Sequence, residues 1–353
     1  MRVWYLKREA AIRIIWQEIF DFKERIIMKI TMAHGSGGKS TDELIDKIFA
    51  KHFSNEILDK MEDSALVEGG KKLAFTTDSF VVDPVQFPGG NIGRLCICGT
   101  VNDLLMRGAI PKYLTCGFII EEGADTDELE EIVKSMAETA RESKVLIVAG
   151  DTKVVQGRGG MYINTSGIGF IPEDVDISAY NIKSGDVLIV SGTMGDHHSA
   201  ILSSRMNIEN DIISDVAPLN EMVHNLIENG IEIHTLRDVT RGGLATVLKE
   251  LAKTSKVDID IQADIPVRDS VEKLCGLLGL DPMYMGNEGK LVAFIPQNQE
   301  KEALDIIRHS KYGENARVIG KVTKGTGQVR QQTAIGGVRN IEALTGEGLP
   351  RIC

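Results

Sequence analysis

No run of eighteen apolar residues occurs in this sequence, so nothing in it is long and apolar enough to span a bilayer as a helix. Positive charge is in short supply. Forty Lys and Arg against 51 Asp and Glu leave a formal charge of -11 and a pI near 5.3. Such a chain repels phosphate backbones, which argues against a nucleic-acid partner. Cysteine is scarce and odd in number: Cys96, Cys98, Cys116, Cys275 and Cys353 do not make the paired framework of a small secreted scaffold, and a reducing cytoplasm suits them. Cys96 and Cys98 form a CxC pair in an apolar stretch. No second Cys/His pair completes a zinc quartet, so the two read as small packing residues. The uninterrupted apolar core of a signal peptide is missing as well, because charges run through MRVWYLKREAAIRIIWQEIFDFKERII. No short-period repeat appears.

What is present fills two domains of ordinary size in 353 residues. Residues 1–28 read as an accessory extension, with Trp4, Ile12, Ile15, Ile19 and Ile26 able to line one face of a helix. From there the pattern is α/β. KLAFTT, NIGRLCICGTVNDLLMRGA, YLTCGFII, DTDELEEIVKSMAETARES and KVLIVAG alternate strand-like with helical periodicity. DTDELEE opens its helix with a capping side chain and early acids. The pattern restarts near residue 180, where GDVLIVSG follows a turn-rich stretch, so the expected domains are 29–180 and 181–335. Beyond them, residues 336–353 turn to glycine and scattered polar residues and read as a flexible tail that ends GEGLPRIC, on a free thiol.

Three motifs carry chemistry. AHGSGGKST almost matches a phosphate-binding loop but has Ala33 where that loop has its first glycine; backbone N–H groups of Gly35, Gly37 and Gly38 would cradle phosphate and Lys39 would reach it. Aspartates form the second set: Asp63, Asp78, Asp103, Asp151 and Asp238, several of them where an apolar run ends, the place at which α/β proteins put ligands. Asp103 shares a helical stripe with Cys96 and Gly99, a face built for close packing, where a charge needs a cation or strong hydrogen bonds. Each aspartate alone would serve as a cap or turn. Together they suit Mg²⁺, which takes a few carboxylates and completes its shell with water and phosphate oxygens. Lys153 in GDTK and Arg241 in DVTRGG would face phosphoryl charge, with Gly242 opening a helix to an anion. Third, Glu288 sits between glycines in GNEGK, placed to act as a general base. Of the adjacent His197 and His198, on one strand or turn, one would bind nucleotide or orient water.

HGSGGK, TTDSFVVDPVQFPGGNIG, CGTVNDLLMRGAIPKYL, GDTKVV, DVTRGG, GNEGK and the ending PRIC together resemble the HypE family of hydrogenase maturation proteins, from about Lys29 to Cys353. His198 and the N-terminal extension depart from the family pattern. The resemblance implies the two-domain fold of the aminoimidazole ribonucleotide synthetase (PurM-like) superfamily, α/β or α+β in classification terms, and a homodimer that binds ATP with Mg²⁺. It implies a carbamoyl dehydratase: the carbamoyltransferase HypF loads Cys353, and ATP-dependent dehydration yields a thiocyanate. The cyanide then passes through HypC and HypD to the iron of a NiFe-hydrogenase. Carried over, Asp63, Asp78, Asp103 and Asp238 resemble metal and phosphate aspartates, Lys153 and Glu288 acid/base groups, and the glycine loop a flap over ATP. Two other readings stay open on the residues alone, a ligase for a free small molecule and a non-catalytic ATP-binding scaffold.

Overall fold

The computed structural model describes residues 29–35, 39–60 and 64–344. The apolar stripe from Trp4 to Ile26, Gly37, Gly38, Asp63 and Cys353 lie outside them.

Two sheets organise the chain. The first has four strands in the order β1-β6-β4-β5, formed by β1 (Leu73–Phe80), β4 (Ile110–Glu121), β5 (Leu146–Val155) and β6 (Met161–Phe170). A short ribbon of β2 (Gln86–Phe87) and β3 (Gly90–Asn91) lies between β1 and the following helix. β4 and β5 run parallel, joined by the helix Thr126–Glu142, as a parallel pair requires a crossover. Asp125 caps that helix, its side chain accepting from Asp127 N, as its sequence predicts. The helices Ile92–Leu105 and Thr126–Glu142 cover one face of this sheet through Leu95, Val101, Leu129, Ile132 and Met136. Strand alternation sends the other side chains to the opposite face, where Phe75 and Ile119 stay exposed and Thr77, Ser79, Asn164 and Ser166 bond to one another or to the backbone.

The second sheet is larger: β13-β12-β9-β11-β7-β10-β8, with β7 (Asp186–Val190), β8 (Thr235–Asp238), β9 (Val257–Ile261), β10 (Leu291–Pro296), β11 (Arg317–Lys324), β12 (Val329–Gln332) and β13 (Val338–Ile341). Every residue of β7 is buried, so GDVLIVSG is a core strand covered on both faces. Leu188 and Val190 pack toward the helix Gly243–Ser255, whereas Val187 and Ile189 join a cluster that includes Leu219 and continues into the first half through Ile92 and Leu105. One apolar core therefore crosses between the sheets. Polar ties reinforce the seam: Asn102, buried, donates to Ala217 O at 3.0 Å and accepts from Leu219 N at 3.0 Å, and Arg94 Nε donates to Val216 O at 3.0 Å.

Residues 338–341, expected as part of a flexible tail, form a strand. Val338–Ile341 pairs antiparallel with β12, and Ile341 is buried in the second core. The glycines that suggested a loose tail close this hairpin instead: Gly336, at φ 84, donates to Thr333 O, and Thr333 N donates to Gly337 O. The strand expected at MKIT is reduced to a bridge between Lys29 and Asp125, followed by a 3-10 turn over Met32–Gly35.

Candidate active site

Three carboxylates lie near enough to feel one another's charge, Asp103 acting on both Asp78 and Asp238. Asp78 points from β1 toward the helix Ile92–Leu105 and accepts from Thr100 Oγ1 at 3.1 Å. Asp103, in that helix, accepts from Thr76 Oγ1 of β1 at 2.8 Å. Asp238 ends β8, paired with Leu291 of β10. Burial raises the carboxyl of each, and the negative charge of Asp103 raises Asp78 and Asp238 further, Asp238 to about 6. The charges of Arg241 on Asp78 and of Arg237 on Asp103 and Asp238 partly offset this.

Glu288 joins them from the second half. Burial pushes its carboxyl well above the ordinary value, and Asp238, Asp215, Asp78 and Asp103 add to the push. Its turn is fixed from all sides. Asn287 Oδ1 accepts from Gly195 N at 2.8 Å, and Glu288 N donates to Asp215 Oδ1 at 3.1 Å. Gly289 lies so close to Asp215 that a Cβ there would stand 1.9 Å from Asp215 O, which is why only glycine serves. Below it Lys290 Nζ faces Asp215 Oδ2 at 3.8 Å, both residues buried. Lys290 stands in the quoted GNEGK, but Asp215, in IISDVAPLN, carries no motif signal. Thr76, Thr100 and Asn287 stand in quoted motifs too, but nothing singled them out there, since a hydroxyl or amide partner is chosen by the fold.

Gly242 and Gly243 adopt φ 80 and 65 and open the helix Gly243–Ser255 without a side-chain cap, so DVTRGG presents a helix start beside the carboxylates. Asp151 and Lys153 do not join the group. Their Cα partners across β4–β5 are Gly117 and Ile119, on the open face of the first sheet, while Asp78 faces the covered side. There Lys153 Nζ holds Asp151 at 2.7 Å and, with Thr152 N, draws its carboxyl below the usual range. Gly35 packs against the same strand: a Cβ on it would lie 2.6 Å from Val154 N. Lys39 begins the helix Lys39–Leu44. His197 and His198 stand on the helix Asp196–Met206 rather than a strand or turn, and both are buried. His197 Nδ1 meets Ser214 Oγ at 2.8 Å with Phe87 edge-on to its ring, and burial pushes the two imidazoles down to about 3 and about 4. Neither has the exposure a nucleotide contact needs.

The donor set fits a divalent cation shared with phosphate. Several carboxylates oppose one another in a poorly solvated place, a situation a cation relieves. Among the described residues no three acidic, His or Cys side chains converge closely enough to hold a metal alone. Water and phosphate oxygens would supply the rest of an Mg²⁺ shell.

An acidic cleft between two mixed α/β halves, flanked by a helix start and a carboxylate on a tight turn, suits the aminoimidazole ribonucleotide (AIR) synthase related class. Its family models match here, the N-terminal domain over residues 61–171 and the C-terminal domain over 183–331. Across 335 residues the chain is 45% identical to the carbamoyl dehydratase HypE of Rhodobacter capsulatus, covering 92% of this chain and 98% of that one. A crystal structure of the hydrogenase maturation protein HypE in complex with ATP superposes with a TM-score of 0.88 at 46% identity, covering 91% and 99% of the two chains. A HypE–HypF complex gives 0.75 at 46%, over 85% and 99%. The chain belongs to the HypE family of carbamoyl dehydratases.

Proposed function

We propose that this protein uses ATP to dehydrate a carbamoyl group carried on its own Cys353, giving a thiocyanate that supplies cyanide to the iron of a NiFe-hydrogenase. The observation that carries this reading is where residue 344 is anchored. Leu344 N donates to Thr246 Oγ1 at 3.0 Å, one turn into the helix that DVTRGG opens. Nine residues follow, ending at Cys353, and such a segment reaches roughly 30 Å when extended. A segment of that length would be long enough to bring the terminal sulfur from Thr246 to Asp238, eight residues earlier in the chain at the end of β8. A relative named carbamoyl dehydratase HypE, a HypE solved with ATP and a HypE–HypF complex support the same reading.

A carboxamide oxygen leaves poorly, so it must first be activated. The carbonyl oxygen of the S-carbamoyl group attacks the γ-phosphorus of ATP; ADP departs, and the oxygen now carries phosphate. Loss of inorganic phosphate, with removal of the protons from nitrogen, forms the C≡N bond. Glu288 takes a proton from nitrogen, and burial, which raises its carboxyl, makes its carboxylate the stronger base. Bound Mg²⁺ would neutralise developing phosphoryl charge, held by Asp78, Asp103 and Asp238 together with Asp63. Arg241 and the backbone at Gly242 face the phosphates, and the loop through Gly35, Gly37, Gly38 and Lys39 closes over the nucleotide.

Asp151 and Lys153 belong, in this account, to a homodimer. The open face of the first sheet, with exposed Phe75 and Ile119, meets its copy, and Lys153 of one chain completes the cleft of the other. HypF, and a HypC–HypD carrier of the iron, are the partners; residues 29–180 and 181–335 are the two domains. Among the described residues no helix is long and apolar enough to cross a membrane, and the reaction is assigned to the cytoplasm.

The test is mass spectrometry of the C-terminal peptide after incubation with HypF, carbamoyl phosphate and ATP. The carbamoylated peptide should lose one water only when ATP is present. Cys353→Ser should yield neither product; a thiocyanate formed elsewhere, or none formed at all, would end the proposal.

A further inference from the structure

The cleft that holds Asp103 and Asp238 has a volume of about 680 Å³, and its walls carry three cations, Lys72, Arg107 and Arg237. Arg107 follows Asp103 by four residues, at the C-terminal end of the helix Ile92–Leu105, so the acid and the base sit one turn apart. Arg107 is exposed, and among the described residues its guanidinium makes no hydrogen bond or ion pair. Arg237 precedes Asp238 on β8 and is also exposed; a single 3.4 Å contact ties its Nη2 to Glu250 Oε2. Lys72 is committed to the carbonyl of Val175 at 3.2 Å.

Acids on the floor and two guanidiniums on the wall, one unpaired among the described residues and one held by a single long contact, give the polarity of a metal-bound polyphosphate, whose cation faces carboxylates and whose outer oxygens face N–H donors. A guanidinium offers five such donors in a planar fork that fits phosphate oxygens in pairs. We propose that Arg107 and Arg237 clamp the terminal phosphates of the nucleotide in this cleft. The inference rests on the ATP-dependent reading above. It adds two arginines beside the acids to Arg241 and Gly242 as phosphate contacts within one chain, where Lys153, on the opposite face of the first sheet, does not reach.

Calorimetric titration of the full-length protein with ATP, ADP and AMP, in the presence of Mg²⁺, tests it. Arg107→Gln and Arg237→Gln should each weaken ATP roughly 10- to 100-fold, the worth of a hydrogen bond to a charged group, while AMP stays within about twofold. Glu250→Gln should leave ATP affinity unchanged, because it frees Arg237 without removing it. If Glu250→Gln matched Arg237→Gln, Arg237 would be a structural pair and not a ligand for phosphate. Equal loss of ATP and AMP, or no loss of ATP, would likewise overturn the clamp. Failure of the unaltered protein to bind ATP would instead overturn the ATP-dependent reading itself.

Discussion

The same chemical groups behave in opposite ways at two places in this molecule. In the cleft, burial and mutual repulsion raise Asp78, Asp103, Asp238 and Glu288. On the open sheet face, Asp151 sits 67% exposed beside Lys153 and is drawn below the usual carboxylate range. The exposed pair satisfies itself and contributes little to stability. Buried carboxylates without a cation hold unfavourable free energy that a cation-bearing ligand would release. Under the proposed function the cleft takes the ligand and the sheet face a second copy of the chain.

The largest expected effect breaks the cleft side of this contrast. Glu288→Gln should lower single-turnover dehydration by roughly 10²- to 10⁴-fold, the usual worth of a positioned base, with ATP affinity preserved. Quenched-flow analysis of the carbamoylated protein measures both. A loss of nucleotide binding in parallel would make Glu288 a ligand rather than a base.

The next experiment joins the two regions. Lys153→Ala and Glu288→Ala should each be inactive alone, yet mixed subunits should recover about a quarter of wild-type turnover, because half the dimers are mixed and each has one intact site. Mixtures that stay inactive would place Lys153 and Glu288 in the same chain's site, or Lys153 in none.

Smaller effects sharpen the electrostatics. Asp238 rises from its ordinary 3.8 to about 6 on folding, so the native state holds its proton more tightly, and this contribution is complete below about pH 4 and lost as the pH climbs through about 6. Without divalent cation, Asp238→Asn should therefore stabilise the fold above pH 6 by on the order of 2 kcal/mol, with the gain vanishing toward pH 4. Denaturant titration at several pH values, in EDTA, measures it. Glu142 has the reverse sign. Its carboxyl, partly desolvated but bound by Lys311, Tyr312 and Arg94, is held down at about 2, a bond across the seam between the halves. Its stabilisation is present above about pH 4.5 and fades as the pH falls toward 2. Glu142→Gln should cost about 1 kcal/mol at neutral pH, since solvent reaches this group.

Much of this was legible in the sequence because it depends on local pattern. The alternation of burial along β4, the cap at Asp125 and the buried run of β7 follow from periodicity and side-chain type. The aspartates could be picked out because each interrupts or ends an apolar run. Asp215 could not, because its role depends on Lys290 and on the turn at Glu288, far apart in the chain and joined only by packing. The opposed placement of Lys153 was hidden for a related reason. Strand alternation tells that neighbours point to opposite faces, but which face is covered is decided by helices elsewhere. The last hairpin was missed because glycine marks a tight turn and a loose tail alike, and the buried Ile341 alone separates them.

The central claim is that ATP phosphorylates the carbamoyl oxygen in this cleft. Its most direct test starts from protein carrying a carbamoyl group with heavy oxygen on Cys353, followed through one turnover with ATP. The label should leave in inorganic phosphate, one labelled phosphate for each thiocyanate formed. Label released into water, with unlabelled phosphate, would contradict the account.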